Sequence, residues 1–212
     1  MPVRERIRVL IVDDHPAIRE GVAAMIANQS DMEVVAEAST AREAVESFQR
    51  HLPDVTLMDL KLPDNTGIHA IESIRKTFPQ ARVIILTTYR GDVQAMRALK
   101  AGAFGYLLKS MLRKELLETI RAVHAGEKRI PPEIASEIAI HSSEDSLTGR
   151  ELQVLTHVAG GNSNKVVASL LSISETTVKA HMQSVLSKLS ANDRTHAVMI
   201  AMRRGILDSG RE

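Results

Sequence analysis

The sequence predicts an α/β fold, a doubly wound five-stranded parallel sheet, followed by a small all-α unit of four helices. Three observations carry this. Short Val/Ile/Leu-rich runs alternate with amphipathic stretches of helical length through the first 124 of the 212 residues, the pattern of βαβ units. A polar, Pro-containing stretch over 126–146 then interrupts the alternation. After it every periodic segment is helical, and a run of short helices in so few residues forms a compact bundle.

The strand-like runs are "IRVLIV" (7–12), "MEVVAEA" (32–38), "DVTLMD" (54–59), "RVIILT" (82–87) and "FGYLL" (104–108). Near-continuous apolar runs suit strands buried on both faces of a parallel sheet. Helices are expected at 17–28, 41–50, 67–78, 93–101 and 112–124. Pro53 and Pro79 stand where a helix has ended and a strand is about to begin. In 126–146, Pro131–Pro132 opens one short helix inside a linker. The later helices are expected at 149–159, 164–171, 175–189 and 194–204, separated by "GGNS", "SIS" and "SAND". The domain boundaries follow: 1–124, a linker over 125–145, and 146–212.

Composition narrows the function classes. An apolar share of 44% with 25% charged residues is that of an ordinary globular chain. No run of about 18 apolar residues is present and nothing resembles a signal peptide, so the expectation is a cytoplasmic protein without a membrane segment. The absence of cysteine excludes disulfides and thiolate zinc sites. An aromatic share of 2% argues against stacking surfaces for single-stranded nucleic acid. Overall charge is near neutral, yet 146–211 carries eight Lys/Arg against four Asp/Glu, a balance compatible with a polyanionic partner.

The chemistry concentrates at the strand ends. "RVLIVDDHP" closes on two adjacent acids, Asp13 and Asp14, and like charges this close raise each other's pKa unless a cation neutralises them. Asp59 ends the third run, Thr87 and Thr88 the fourth, and Lys109 follows the fifth. In a parallel sheet these carboxyl ends share one edge. Three carboxylates suit a hard divalent cation such as Mg²⁺, and an ammonium with a hydroxyl suits a phosphoryl group. Taken singly, each residue has a plain alternative: the aspartates could cap helices, and Lys109 could be a solvated side chain. Their placement at successive strand ends favours a site.

"VDDHP", "LMDLKLP" (57–63), "ILTT" (85–88) and "AGAFGYLLK" (101–109) together resemble the receiver domain of two-component response regulators, which has a flavodoxin-like fold. The resemblance implies that Asp59 is the phosphoacceptor for a sensor histidine kinase. It implies that Asp14, Asp59 and the Lys61 backbone carbonyl ligate Mg²⁺, with Asp13 supporting the ion through water. Lys109 would pair with phosphoryl oxygens and Thr87 would donate to them, with Thr88 beside it. An inward turn of Tyr106 would reshape the surface. Two departures stand out: Ser110 replaces a frequent proline, and Asn65–Thr66 replace an acidic or apolar pair. Lys61 and Tyr89 resemble positions that tune hydrolysis of the acyl phosphate.

In the helical half, Thr148 with Glu151 forms a capping box, and Ser174 followed by Glu175 opens a longer helix after a tight turn. Two helices so joined make a helix-turn-helix. Thr148–Arg150–Glu151, Ser163–Asn164–Lys165, "ISETTVKAH" (173–181), Lys188–Leu189 and Arg194 resemble the LuxR/NarL-type effector domain. By that resemblance Lys179, Ala180 and Gln183 face base edges, and Asn164, Lys165, Thr176, Thr177 and Lys188 contact phosphates. The last helix serves for dimerisation. Val166–Val167 replaces a commoner Glu-Ile. The function so implied is a DNA-binding response regulator, not an enzyme. It pairs as a homodimer on activation, binds inverted half-sites in promoter DNA, and has RNA polymerase as a further partner. The rivals fare worse: an aspartyl phosphatase of the haloacid dehalogenase type needs a second Asp where Lys61 stands, and a nucleotide-binding protein needs a Gly-rich loop where "DDHP" stands. A phosphorylation-independent regulator is opposed by the intact acidic site.

Overall fold

The structure is a computed structural model that describes residues 6–88, 92–141 and 146–207. The chain divides into two compact units, the first holding the sheet and the second the last four helices.

In the first unit the elements alternate as β1 (Ile7–Val12), α1 (Pro16–Ala27), β2 (Met32–Ala38), α2 (Ala41–His51), β3 (Val55–Asp59), α3 (Gly67–Thr77), β4 (Val83–Thr87), α4 (Asp92–Lys100), β5 (Gly105–Leu108) and α5 (Leu112–His124). All strand pairs are parallel, in the order β2-β1-β3-β4-β5. That order reverses direction between β1 and β3, which opens a crevice at their carboxyl ends. β3, β4 and β5 are buried along their whole length, as their largely apolar sequences suit, whereas edge strand β2 is partly exposed. Ile11, Leu57, Ile84, Leu86, Val22 and Ile120 lie in the core between strands and helices.

Local signals set the helix ends. Pro16 occupies the first position of α1, where its missing N–H costs nothing, so the helix begins one residue before the expected start. Thr40 and Thr66 cap α2 and α3 through their side chains. Asp64 adds a second cap to α2, its two carboxylate oxygens accepting from the amides of Ala41 and Arg42 at 2.8 and 3.0 Å. Three strands begin one residue later than expected, because Asp54, Arg82 and Phe104 bond outside the ladders. A 3-10 turn at Lys109–Met111, not legible in the sequence, joins β5 to α5. The linker helix α6 (Pro132–His141) spans ten residues.

The second unit packs α7 (Gly149–Ala159), α8 (Asn164–Leu171), α9 (Glu175–Lys188) and α10 (Arg194–Arg203) around Val154, Leu155, Val167, Val178, Val185 and Ala201. Thr148, Ser163, Ser174 and Asp193 each cap the helix that follows, accepting from the third amide. Ser172 takes the left-handed conformation at φ 53°, which turns the chain sharply between α8 and α9. Among the described residues no helix is long and apolar enough to cross a membrane.

Candidate phosphoacceptor site and DNA-binding helices

The crevice at the strand ends gathers the residues expected there. Asp13 is fully buried just past β1, and Asp59 is nearly so as the last residue of β3. The 3-10 turn after β5 directs Lys109 back across the edge. Its ammonium lies 2.6 Å from Asp13 Oδ2 and 2.8 Å from Asp59 Oδ2. One cation thus spans two buried carboxylates. Burial pushes the Asp59 carboxyl above its ordinary value, and the negative charge of Asp13 adds to this; Lys109 opposes both without cancelling them. Burial alone would lower the Lys109 pKa, but the carboxylates of Asp13 and Asp59 outweigh it and hold the lysine charged. The remaining oxygen of Asp59 accepts from the Lys61 amide at 3.3 Å.

Asp14 is half-buried beside this pair. His15, which the sequence reading did not single out, closes over both acids, with Nδ1 3.1 Å from Asp13 Oδ1 and 2.8 Å from Asp14 Oδ1. Ligand atoms of Asp13, Asp14, His15 and Asp59 all lie within 4.8 Å of one another. Asp13 Oδ2 is buried and takes no hydrogen bond of good geometry, only the close ammonium. A hard, oxygen-rich donor set with one buried oxygen so placed fits a divalent cation. Arg19 fixes the backbone here, donating to the Asp13 carbonyl at 2.7 Å.

Thr87 ends β4 and is buried. In the register of β4 and β5, Ile85 faces Tyr106, so Thr87 is the diagonal neighbour of Tyr106 on the same face. The Tyr106 ring is fully buried, and its hydroxyl is hydrogen-bonded with Thr87; burial drives the phenol well above its ordinary pKa. Thr88 is exposed at the mouth of the crevice. Tyr89 lies outside the described residues. Gly67 matters to the site because a Cβ there would stand 2.0 Å from the Asp59 carbonyl oxygen: α3 can approach the end of β3 this closely only through a glycine.

In the second unit Val178, Met182, Val185 and Leu189 turn the apolar face of α9 into the core. Lys179, Ala180 and Gln183 are exposed on the opposite face, with Thr176 at the amino end. Thr177 is half-buried, its hydroxyl 2.8 Å from that of Ser174. Asn164 and Lys165 open α8, the lysine exposed, and Val166 is 43% exposed, an apolar side chain in water. Lys188 is half-buried near the carboxyl end of α9. Its ammonium is drawn to Glu151 Oε2 at 2.9 Å and the Ser146 carbonyl at 3.2 Å, because the buried carboxylate needs a counter-charge. Glu151 also accepts from the Ser184 hydroxyl at 2.6 Å and the Thr148 amide at 2.7 Å. The sequence showed the capping box but not that its carboxylate reaches across to α9.

Two buried carboxylates bridged by one lysine at the strand ends of a doubly wound sheet, followed by a capped helix-turn-helix, form the arrangement of a DNA-binding regulator with a receiver domain. The comparisons with known proteins agree. The family model for the response regulator receiver domain matches residues 9–121, and that for bacterial regulatory proteins of the luxR family matches residues 145–201. The chain belongs to the LuxR-type response regulators. It is 40% identical over 205 residues to the uncharacterized transcriptional regulatory protein YhcZ of Bacillus subtilis, covering 92% of this chain and 95% of that one. To the response regulator protein VraR of Staphylococcus aureus it is 36% identical over 206 residues, covering 95% and 99%. A solved two-component response regulator of the LuxR family from Aurantimonas is 41% identical with a TM-score of 0.62, covering 66% of this chain and all of that one.

Proposed function

We propose that Asp59 accepts a phosphoryl group from the phosphohistidine of a sensor histidine kinase, and that the resulting acyl phosphate switches the chain into a DNA-binding dimer. In the transfer a carboxylate oxygen of Asp59 attacks phosphorus as the bond to the kinase imidazole breaks. Lys109 moves from the Asp59 oxygen to a phosphoryl oxygen, and Thr87 donates its hydroxyl to another. Asp14, Asp59 and the Lys61 carbonyl would hold Mg²⁺, with Asp13 acting through water. When bound, the ion offsets the negative charge that builds on the transferring group. The chain's part is that of phosphoacceptor and regulator, not of an enzyme.

The observation that carries this reading is Lys109 spanning Asp13 and Asp59, with Thr87 one strand away and joined to Tyr106. A phosphoryl group adds about 1.5 to 2 negative charges at that point, enough to bias a hydroxyl and ring with two positions. We assign 1–124 to the receiver, 125–145 to the linker and 146–212 to the DNA-binding domain. On DNA, α9 enters the major groove with Lys179, Ala180 and Gln183 toward base edges, while Asn164, Lys165, Thr176 and Thr177 hold phosphates. Lys188 joins them as a phosphate contact, and its pairing with Glu151 steadies α9. Two half-sites roughly one helical turn apart suit a dimer, with α10 as the dimerising helix. We place the regulator in the cytoplasm, acting on promoter DNA together with RNA polymerase.

Light scattering of the full chain with and without beryllofluoride and Mg²⁺ tests the switch, beryllofluoride standing in for the phosphoryl group. The expected result is a shift toward dimer that Asp59→Asn abolishes. No shift in wild type, or an equal shift in both, overturns Asp59 as the control point.

A further inference from the structure

β5 is an outer strand of the sheet, opposite β2, and an open edge exposes a row of unpaired backbone groups. Here the chain's own linker covers it. Beyond α5, Gly126 at φ 92° reverses the chain, a conformation that glycine adopts at little cost. The reversal is fixed by Gly126 N–H donating to Val123 and Glu127 N–H to Ala122. Arg129 then pairs in parallel with Gly105. Arg129 N–H donates to the Phe104 carbonyl at 2.9 Å, and Tyr106 N–H donates to the Arg129 carbonyl at 2.8 Å. Behind this segment lies a cavity of about 310 Å³ lined by Tyr106, Glu115, Glu118 and Thr119 together with Arg129 and Pro131.

Tyr106 is therefore tied at both ends. Its hydroxyl is engaged with Thr87, which binds the phosphoryl group in the reading above, and its amide is held by the linker. The cavity gives the ring and the segment somewhere to move. We propose that residues 128–130 form a strap, and that the docked strap and the inward Tyr106 are one state. Phosphorylation of Asp59 draws Thr87, holds Tyr106 inward and tightens the strap, so the signal enters the linker through backbone pairing on β5. The inference rests on the Asp59 and Thr87 assignments for its trigger, but not for the existence of the strap. Coupling of this kind is reciprocal: loosening the strap must weaken the hold on the phosphoryl group.

The test is amide hydrogen exchange at Tyr106 in the ¹⁵N-labelled full chain, comparing wild type, Arg129→Pro, Arg129→Ala and Asp59→Asn. Proline removes the N–H that bonds Phe104, whereas alanine keeps both backbone bonds to β5 and removes only the side chain that pairs with Glu127. Without beryllofluoride, the Tyr106 amide is expected to exchange at least about tenfold faster in Arg129→Pro and at the wild-type rate in Arg129→Ala. With beryllofluoride and Mg²⁺, wild type gains protection at Tyr106, and Arg129→Pro needs about ten times more beryllofluoride for the same response. Should Arg129→Pro fail to fold, replacement of Lys128–Arg129–Ile130 by three glycines loosens the strap entropically and serves in its place. Unchanged Tyr106 exchange in the strap variants overturns the proposal, as does an unchanged beryllofluoride midpoint. If wild type ignores beryllofluoride altogether, the Asp59 reading falls instead, and exchange in the resting chain still decides whether the strap holds Tyr106.

Discussion

Glu151→Gln probes what holds α9 in place. The Glu151 carboxylate is buried and accepts from Ser184, Lys188 and the Thr148 amide, so α7, α9 and the chain entering α7 meet at one charge. Burial pushes its pKa up, but these donors win and hold it at about 2 against an ordinary 4.5. At about 1.4 kcal/mol per pH unit, that difference corresponds to roughly 3.5 kcal/mol. Lys188 is partly solvated, with 19% of its side chain exposed, which reduces the figure to about 2 kcal/mol. Glutamine keeps the shape but leaves Lys188 without its counter-charge and turns an NH₂ toward donors. For a unit of about 60 residues the expected loss is on the order of 10 °C in the melting midpoint. Calorimetry of the full chain should show the loss in one transition only. The folded pKa lies below the ordinary one, so this stabilisation is complete above about pH 4.5 and fades as pH falls toward about 2. Wild type and variant should therefore converge on acidification. Equal melting at pH 7, or parallel curves from pH 5 to 3, would refute the account.

Four further outcomes follow, two at the carboxylate site and two on the helices of the second unit. Asp59→Asn removes a buried carboxylate whose pKa is raised by burial and by Asp13, so without divalent cations it should melt higher than wild type at pH 7. The sign is opposite to that at Glu151: wild type gains stability as pH falls through the raised pKa, and the two melting curves should close. Gly67→Ala places a methyl 2.0 Å from the Asp59 carbonyl and should cost about 1–3 kcal/mol in urea unfolding, with slower labelling by a small phosphodonor. Lys165→Ala, read by fluorescence anisotropy across salt concentrations, should weaken all DNA sequences alike and lower the salt slope by about one. Gln183→Ala should cost about 1–3 kcal/mol on the preferred site alone.

The fold was legible where one interaction dominated. β3 and β4 are buried on both faces, so their apolar runs admitted no other reading, and Thr148 and Ser174 marked helix starts that the caps confirm, whereas the caps Thr40 and Thr66 were not read from the sequence. The acidic site was legible because parallel strands bring their carboxyl ends together whatever lies between. What escaped were contacts that no local pattern encodes. His15 reads as a residue before a helix, yet its ring lies over both acids. Lys188 sits on α9 at a position suited to a phosphate, and only tertiary packing shows that a buried carboxylate on α7 claims it. Arg129 lies in a polar, Pro-flanked stretch with no strand period, and it pairs because β5 offers it an edge.

These long-range contacts share a physical logic. In three places a buried charge or an open edge is met by a group from a distant part of the chain: Lys109 for Asp13 and Asp59, Lys188 for Glu151, the Arg129 backbone for β5. The first differs from the other two in kind. Glu151 is satisfied, held far below its ordinary pKa by donors that leave it no competing role, which is what a scaffold requires. Asp59 keeps a raised pKa despite its lysine, so its ionised form remains under-stabilised in the resting chain. A carboxylate in that condition gains most from a cation beside it and from a phosphoryl group that gives Lys109 and Thr87 a better partner. The unfavourable electrostatics at Asp59 mark it as an acid that a neighbouring cation or phosphoryl group would relieve.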